Sequence, residues 1–103
     1  MKEIKAIIKP FQLENVVDAL RQIPNLPGVT ISTAHGLSVE RGTFDQVVKT
    51  KLEIIVPDSL VESVVQAIQE AAHTGTTGDG KIFVLPIEET VKIRTGQRGE
   101  GAI

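Results

Sequence analysis

Ile54-Ile55-Val56-Pro57, followed by Leu60, Val64-Val65 and Ala67-Ile68, restates a pattern that the chain has already used once. The earlier copy reads Ile7-Ile8-Lys9-Pro10, then Leu13, Val16-Val17 and Ala19-Leu20, at an offset of 47 or 48 residues. Each copy is a short apolar run, a proline, and then apolar residues at three- and four-residue steps. The run reads as a strand and the stepped part as an amphipathic helix. A proline suits the place where a strand stops and a helix is about to start. In the second copy Asp58 or Ser59 is expected to cap the helix, with Glu62 in its first turn.

Working outward, each helix is followed by chain breakers and another strand. Pro24, Pro27 and Gly28 precede Val29-Thr30-Ile31-Ser32-Thr33-Ala34; Gly75, Gly78 and Gly80 precede Lys81-Ile82-Phe83-Val84-Leu85. The order strand–helix–strand, given twice, is the ferredoxin-like pattern of the α+β class. It predicts an antiparallel sheet with both helices on one face. Ile4, Ala6 and Ile8 alternate with Glu3, Lys5 and Ile7, so the first strand is apolar on one side and mixed on the other. The mixed face asks for a partner. Val91-Lys92-Ile93-Arg94 alternates apolar and basic residues and predicts a short fifth strand at a sheet edge, followed by a tail.

Composition narrows the function. The chain has 103 residues, 41% hydrophobic and 23% charged, with a formal net charge of −2. That predicts one domain, and a core that hides only about 60–70% of the unfolded surface. Oligomerisation would add buried area. The charge balance argues against nucleic acid as a partner, and three Phe with no Tyr or Trp make no stacking platform. Without cysteine there are no disulfides or thiolate metal sites. No apolar run approaches the roughly 20 residues of a membrane helix, and the first residues lack the apolar stretch of a signal peptide, so insertion is not expected and the cytoplasm is.

Three segments carry candidate chemistry. In His73-Thr74-Gly75-Thr76-Thr77-Gly78-Asp79-Gly80-Lys81, glycine amides can converge on an anion and Lys81 adds a full charge. Gly75 to Lys81 fits G-x-x-x-x-G-K but is no P-loop: Ile82 offers no hydroxyl for magnesium, and a helix precedes where a strand should. The bland alternative is a flexible connector. Gly36 to Val48, interrupted by Ser38, Glu40-Arg41-Gly42-Thr43 and Asp45, reads as an exposed, hairpin-like connection between the repeats, functional or simply solvated. Lys92 and Arg94 would share one strand face ahead of a glycine-rich terminus, where Arg94 can make a bidentate phosphate contact. His35 and His73 show no metal or triad spacing and read as turn or surface residues, and Glu88-Glu89 as a solvated turn. No catalytic constellation is present, which points away from an enzyme.

Ile4-Lys5-Ala6-Ile7-Ile8-Lys9-Pro10-Phe11, then Thr74-Gly75 with Gly78-Asp79-Gly80-Lys81-Ile82-Phe83-Val84, then Ile93-Arg94-Thr95-Gly96 and the final Ala102-Ile103, resemble in order three signature blocks of the PII signalling proteins of nitrogen regulation. The resemblance spans nearly the whole chain. It implies one domain over 1–103, with a T-loop at about 37–48, a B-loop at about 73–81 and a C-terminal loop at about 95–103. It also implies a homotrimer that binds ATP, ADP or AMP in clefts between subunits and regulates a target transporter or enzyme without turnover. By position, Ile7 and Thr30 would help to hold the adenine, and Gly36 and Ser38 would lie beside the nucleotide, with Glu53 near the adenine or ribose. Gly78, Gly80 and Lys81 would hold phosphates, with Thr74 and Asp79 in the same nucleotide site, and Lys92 and Arg94 would approach from a neighbouring chain. Lys49 falls where the family places its 2-oxoglutarate lysine.

The departures from the family pattern point to a divergent branch. Ser38-Val39-Glu40 stands where the family has Gly-Arg-Gln, so an outer-phosphate arginine and a magnesium-site glutamine are missing. Lys92 replaces the first arginine of an Arg-x-Arg pair, the T-loop is shortened, and without tyrosine it cannot be uridylylated. Glu40 would repel a dicarboxylate, while a smaller anion such as bicarbonate could still fit beside Lys49. The alternative reading is a metal- or small-anion-binding trimer of the related copper-tolerance type, using His35, His73 and the acidic pairs.

Overall fold

The computed structural model describes the backbone of residues 1–40 and 43–103, and side chains outside residues 38–45. Strands β1 (Lys2–Ile8), β2 (Thr30–Glu40), β3 (Thr43–Val56) and β4 (Gly80–Pro86) alternate with helices α1 (Leu13–Leu20) and α2 (Val61–Ala72) in the order β1-α1-β2-β3-α2-β4. The sheet order is β2-β3-β1-β4 and all three ladders are antiparallel. This is the expected ferredoxin-like α+β arrangement.

Alternation along β1 selects the core as expected. Ile4, Ala6 and Ile8 are fully buried and meet Ile54, Leu52 and Thr50 of β3 in register. Val16 and Leu20 of α1, with Val64, Ile68 and Ala72 of α2, close the layer from one side. A fully buried aliphatic side chain of this kind stabilises by roughly 1.5–3 kcal/mol. Among the described residues no buried side-chain polar atom lacks a hydrogen-bond partner; Gln12, for example, accepts from Asn15 Nδ2 at 2.7 Å.

The opposite face carries Glu3, Lys5 and Ile7, all half-buried, with Lys51, Glu53 and, on β4, Lys81, Phe83 and Leu85. Lys51 and Glu53 pair at 3.5 Å, while Phe83 is 47% exposed.

The hairpin-like reading of Gly36 to Val48 is sharpened, and two other local expectations change. The segment from Gly36 to Val48 continues as ladder, with Gly36 opposite Val47 and pairing as far as Glu40 opposite Thr43. Its polar residues break apolar alternation without breaking backbone bonding, which needs no buried face. The fifth strand does not form: Val91 makes a single bridge to Arg98, because the Lys92 amide bonds to the Gln97 carbonyl and the Gly96 amide to the Lys92 carbonyl. Gly96, at φ 74°, turns the chain back on itself, so Ile93 is 99% exposed and Lys92 and Arg94 lie on a turn. Asp58 does not cap α2 either. It opens a 3-10 turn (Asp58–Leu60) and pairs at 3.0 Å with both the Met1 ammonium and Lys2 Nζ. Those contacts hold its carboxyl below the usual range, the Lys2 hydrogen bond most of all.

Candidate functional site

Helix α2 ends at Ala72, and His73 leaves it in an extended conformation. Seven residues later the chain must enter β4 hard against β1. Gly80 makes that possible: it sits at φ 99°, and a Cβ there would lie 1.7 Å from the Ile7 carbonyl oxygen. No L side chain fits. Gly78 is also left-handed, at φ 90°.

Between these glycines the loop is organised around one carboxylate. Asp79 Oδ2 accepts the amides of Thr74 and Gly75, each at 2.9 Å, and its other oxygen accepts the Thr74 hydroxyl. Lys9, where β1 ends, pairs with Asp79 at 3.1 Å and donates to the Thr74 hydroxyl oxygen at 3.1 Å. It also donates to the Thr76 hydroxyl oxygen. The Thr74 hydroxyl, more than any other contact, holds the Asp79 carboxyl far below the ordinary carboxylate range. His73 Nδ1 lies 3.9 Å from the same carboxylate; both histidines are exposed, His73 on this loop and His35 on β2.

Across from the loop stands the base of the β2–β3 hairpin. Lys49 Nζ donates to the Gly78 carbonyl at 2.5 Å. Between them opens a cleft of about 580 Å³ lined by Lys9, Phe11, Gly36, Leu37, Val47 and Gly78, among others. The cleft has cationic corners and an aliphatic floor, and Lys9 Nζ stands 6.0 Å from the Phe11 ring centroid.

The predicted residues therefore fall into three groups. Gly36, Lys49, Thr74, Gly78 and Asp79 converge on the loop and its cleft. Ile7, Thr30, Glu53 and Lys81 occupy the neighbouring open face of the sheet, Thr30 opposite Glu53 and Ile7 between Lys51 and Lys81. Gly80 joins the two groups. Lys92 and Arg94 belong to the separate C-terminal turn. Ser38 and Glu40 are placed on the ladder, but their side chains, that of Val39 and the whole of Arg41 lie outside the described residues.

Sequence reasoning missed Lys9 and Phe11. Parity with Lys5 and Ile7 was the available signal for Lys9, but its partner Asp79 is far away along the chain. Among the described residues no cluster of three or more His, Asp and Glu is arranged to hold a metal ion. Among them also, no helix is long and apolar enough to cross a membrane.

Comparison with known proteins follows the same outline. Residues 1–97 match the family model for nitrogen regulatory protein P-II. The nitrogen regulatory protein P-II of Azospirillum brasilense and that of Rhodospirillum rubrum are each 47% identical, over the full length of both chains in each case. Those alignments run over 113 positions against the 103 residues here, so ten positions have no counterpart in this chain. The crystal structure of Arabidopsis thaliana PII bound to citrate superposes with a TM-score of 0.86 at 43% identity, covering 99% of this chain and 91% of that one. With fold, signature blocks and full-length relatives in agreement, the chain belongs to the nitrogen regulatory protein P-II family of regulatory signalling proteins.

Proposed function

We propose that the protein is a non-catalytic sensor that binds adenine nucleotide at the loop of residues 73–81. Occupancy would be reported through the hairpin of residues 37–48 to a partner transporter or enzyme. The observation that carries this reading is the pre-folded loop. Its backbone is fixed by Asp79 and Lys9 before any ligand arrives, Lys81 ends it with a fixed charge, and Lys49 stands against Gly78, in a chain whose net charge is −2. Preorganised amides and fixed cations are what an anionic phosphate group requires. Ile7, Thr30 and Glu53 on the adjoining open face supply an apolar contact and hydrogen-bonding groups for the base and sugar.

The half-buried, mixed face of β1 and the exposed Phe83 favour a homotrimer with the cleft shared between copies. Lys92 and Arg94, on a turn away from the loop, would then serve a neighbouring chain's ligand. Catalysis is disfavoured because Asp79, the carboxylate nearest the glycines, is committed to loop hydrogen bonds and is held ionised far below the pH at which a general base is effective.

Val39 carries no charge for an outer phosphate, so ATP, ADP and AMP should bind within about tenfold of one another, a gap of about 1.4 kcal/mol. Dicarboxylates such as 2-oxoglutarate should bind weakly. By position Glu40 stands where the family has a glutamine, so a hairpin folded over the ligand would bring a second carboxylate to it, and such a pair at about 4 Å would cost of order 4 kcal/mol at an effective dielectric of 20. Lys49, which offers the compensating charge, is already bonded to Gly78. Bicarbonate is smaller and carries less charge to repel.

Calorimetry with ADP, paired with light scattering, tests the reading. Saturable ADP binding to a trimer is expected. A stable monomer at micromolar concentration, or no heat with any adenine nucleotide, rejects it. Tight 2-oxoglutarate binding with ATP and magnesium would return the chain to direct nitrogen sensing, and its appearance only in Glu40→Gln would locate the electrostatic block.

A further inference from the structure

We infer that Lys9 is a positioning residue for the 73–81 loop, acting through Asp79 rather than by touching the ligand. This rests on the nucleotide reading above and deepens it. The geometry is specific. Lys9 is the first residue after β1, and its side chain is only 16% exposed although it ends in a charge. The ammonium is fully engaged with the loop, by an ion pair to Asp79 and hydrogen bonds to the Thr74 and Thr76 hydroxyl oxygens. Three donors thus meet three acceptors, which leaves Lys9 no free proton for a phosphate. Asp79 is committed in the same way, to two amides, one hydroxyl and Lys9. The pair therefore faces inward.

Its effect is to draw the amides of Thr74 and Gly75 toward one carboxylate oxygen. That folds the start of the loop back and leaves Thr77 and Gly78 lining the cleft. The amide of Thr76 is tied to the Thr74 hydroxyl oxygen at 3.3 Å, so one more donor is fixed by the same hub. Lys9 also links this hub to the end of β1, so loop shape is referenced to an inner strand of the sheet. A charge-assisted network of this kind is cooperative, and its members should not contribute independently.

The test uses the full chain with Lys9→Met, Lys9→Arg, Asp79→Ala and the double variant Lys9→Met/Asp79→Ala. Two readouts are needed: ADP affinity by calorimetry, and hydrogen exchange of the Thr74 and Gly75 amides by NMR without ligand. Lys9→Met and Asp79→Ala should each weaken ADP by about tenfold, with the double variant no more than about twofold worse than Asp79→Ala, because both changes break one network. Lys9→Arg should restore most of the affinity, and thermal midpoints should stay near that of the parent chain. In the ligand-free protein the Thr74 and Gly75 amides should exchange faster in Lys9→Met.

If Lys9→Met loses ADP affinity while those two amides stay protected, Lys9 contacts the ligand directly and the inference falls. Fully additive losses in the double variant also overturn it. Should the parent chain bind no ADP, the nucleotide reading fails alone, and faster exchange of the two amides in Lys9→Met still establishes the positioning role.

Discussion

Residues 21–29 and residues 73–79 hold the same place in the two repeats. Each leaves a helix and leads into an outer strand of the sheet, β2 in one case and β4 in the other. They are kept in shape by different forces. The first connector packs Ile23, Leu26 and Val29 against the core. The second, His73 to Asp79, contains no aliphatic side chain and is held by Asp79, Lys9 and two threonine hydroxyls. A connector stabilised by burial has its surface spent on the core. One stabilised by an internal carboxylate keeps its glycine backbone open to a ligand. Repetition supplied two equivalent scaffolds, and the polar connector is the one free to bind.

The largest expected effect tests whether the scaffolds are equivalent. Leu20 and Ile68 occupy matching positions in α1 and α2 and both are buried. Leu20→Ala and Ile68→Ala should each cost about 2–5 kcal/mol in urea unfolding. A loss confined to one of them would break the comparison. Next come the glycines that end the two connectors. Gly80→Ala should cost about 2 kcal/mol or more, since both the left-handed backbone and the Ile7 carbonyl oppose it. Gly28 has no atom within 4 Å of an added Cβ, and Gly28→Ala should be neutral or stabilise by about 0.4–1 kcal/mol.

Ligand binding should separate the regions more sharply than stability does. Lys81→Ala removes a charge worth roughly 1.5–3 kcal/mol to a phosphate, so ADP affinity should fall by about 10- to 150-fold. Arg21→Ala, at the start of the first connector, should leave it unchanged by calorimetry.

The smallest effect concerns pH. The Asp79 carboxyl lies below its ordinary value of 3.8, so its contribution is fully present above that value and is lost only as pH falls through the depressed one. The side-chain carboxyl carbon signal of Asp79 should therefore stay at its ionised position from about pH 7 to pH 4. Protonation of that carboxyl within the window would show that Asp79 is not the organising group.

Much of the scaffold was legible because burial writes itself as periodicity. Ile4, Ala6 and Ile8, or Val64 and Ile68, announce a face by spacing alone. The hairpin was less legible because its described flanks, such as Leu37 and Val48, meet solvent, and exposed residues need obey no alternation. Val91 to Arg94 misled in the opposite way. Its alternation imitates a strand, but Gly96 and the Lys92–Gln97 bond close the segment on itself before it can join the sheet. Gly75, Gly78, Gly80 and Lys81 were visible as a candidate anion loop, whereas the Lys9–Asp79 pair depends on β1 and β4 becoming neighbours, which no local pattern records.

The strand order carries a consequence for how the chain comes to be folded at all. Within the first repeat β1 and β2 do not pair, and within the second β3 and β4 do not pair; every ladder joins one repeat to the other. Lys2 waits for Val56 on one side and Pro86 on the other. During synthesis β1 emerges first and gains its last partner only when β4 leaves the ribosome, so the nascent first half cannot settle early. A chain severed between residues 40 and 43 would accordingly give two fragments that are unstructured apart and fold on mixing. One strand–helix–strand copy thus has no ladder of its own and gains a sheet only by meeting the second.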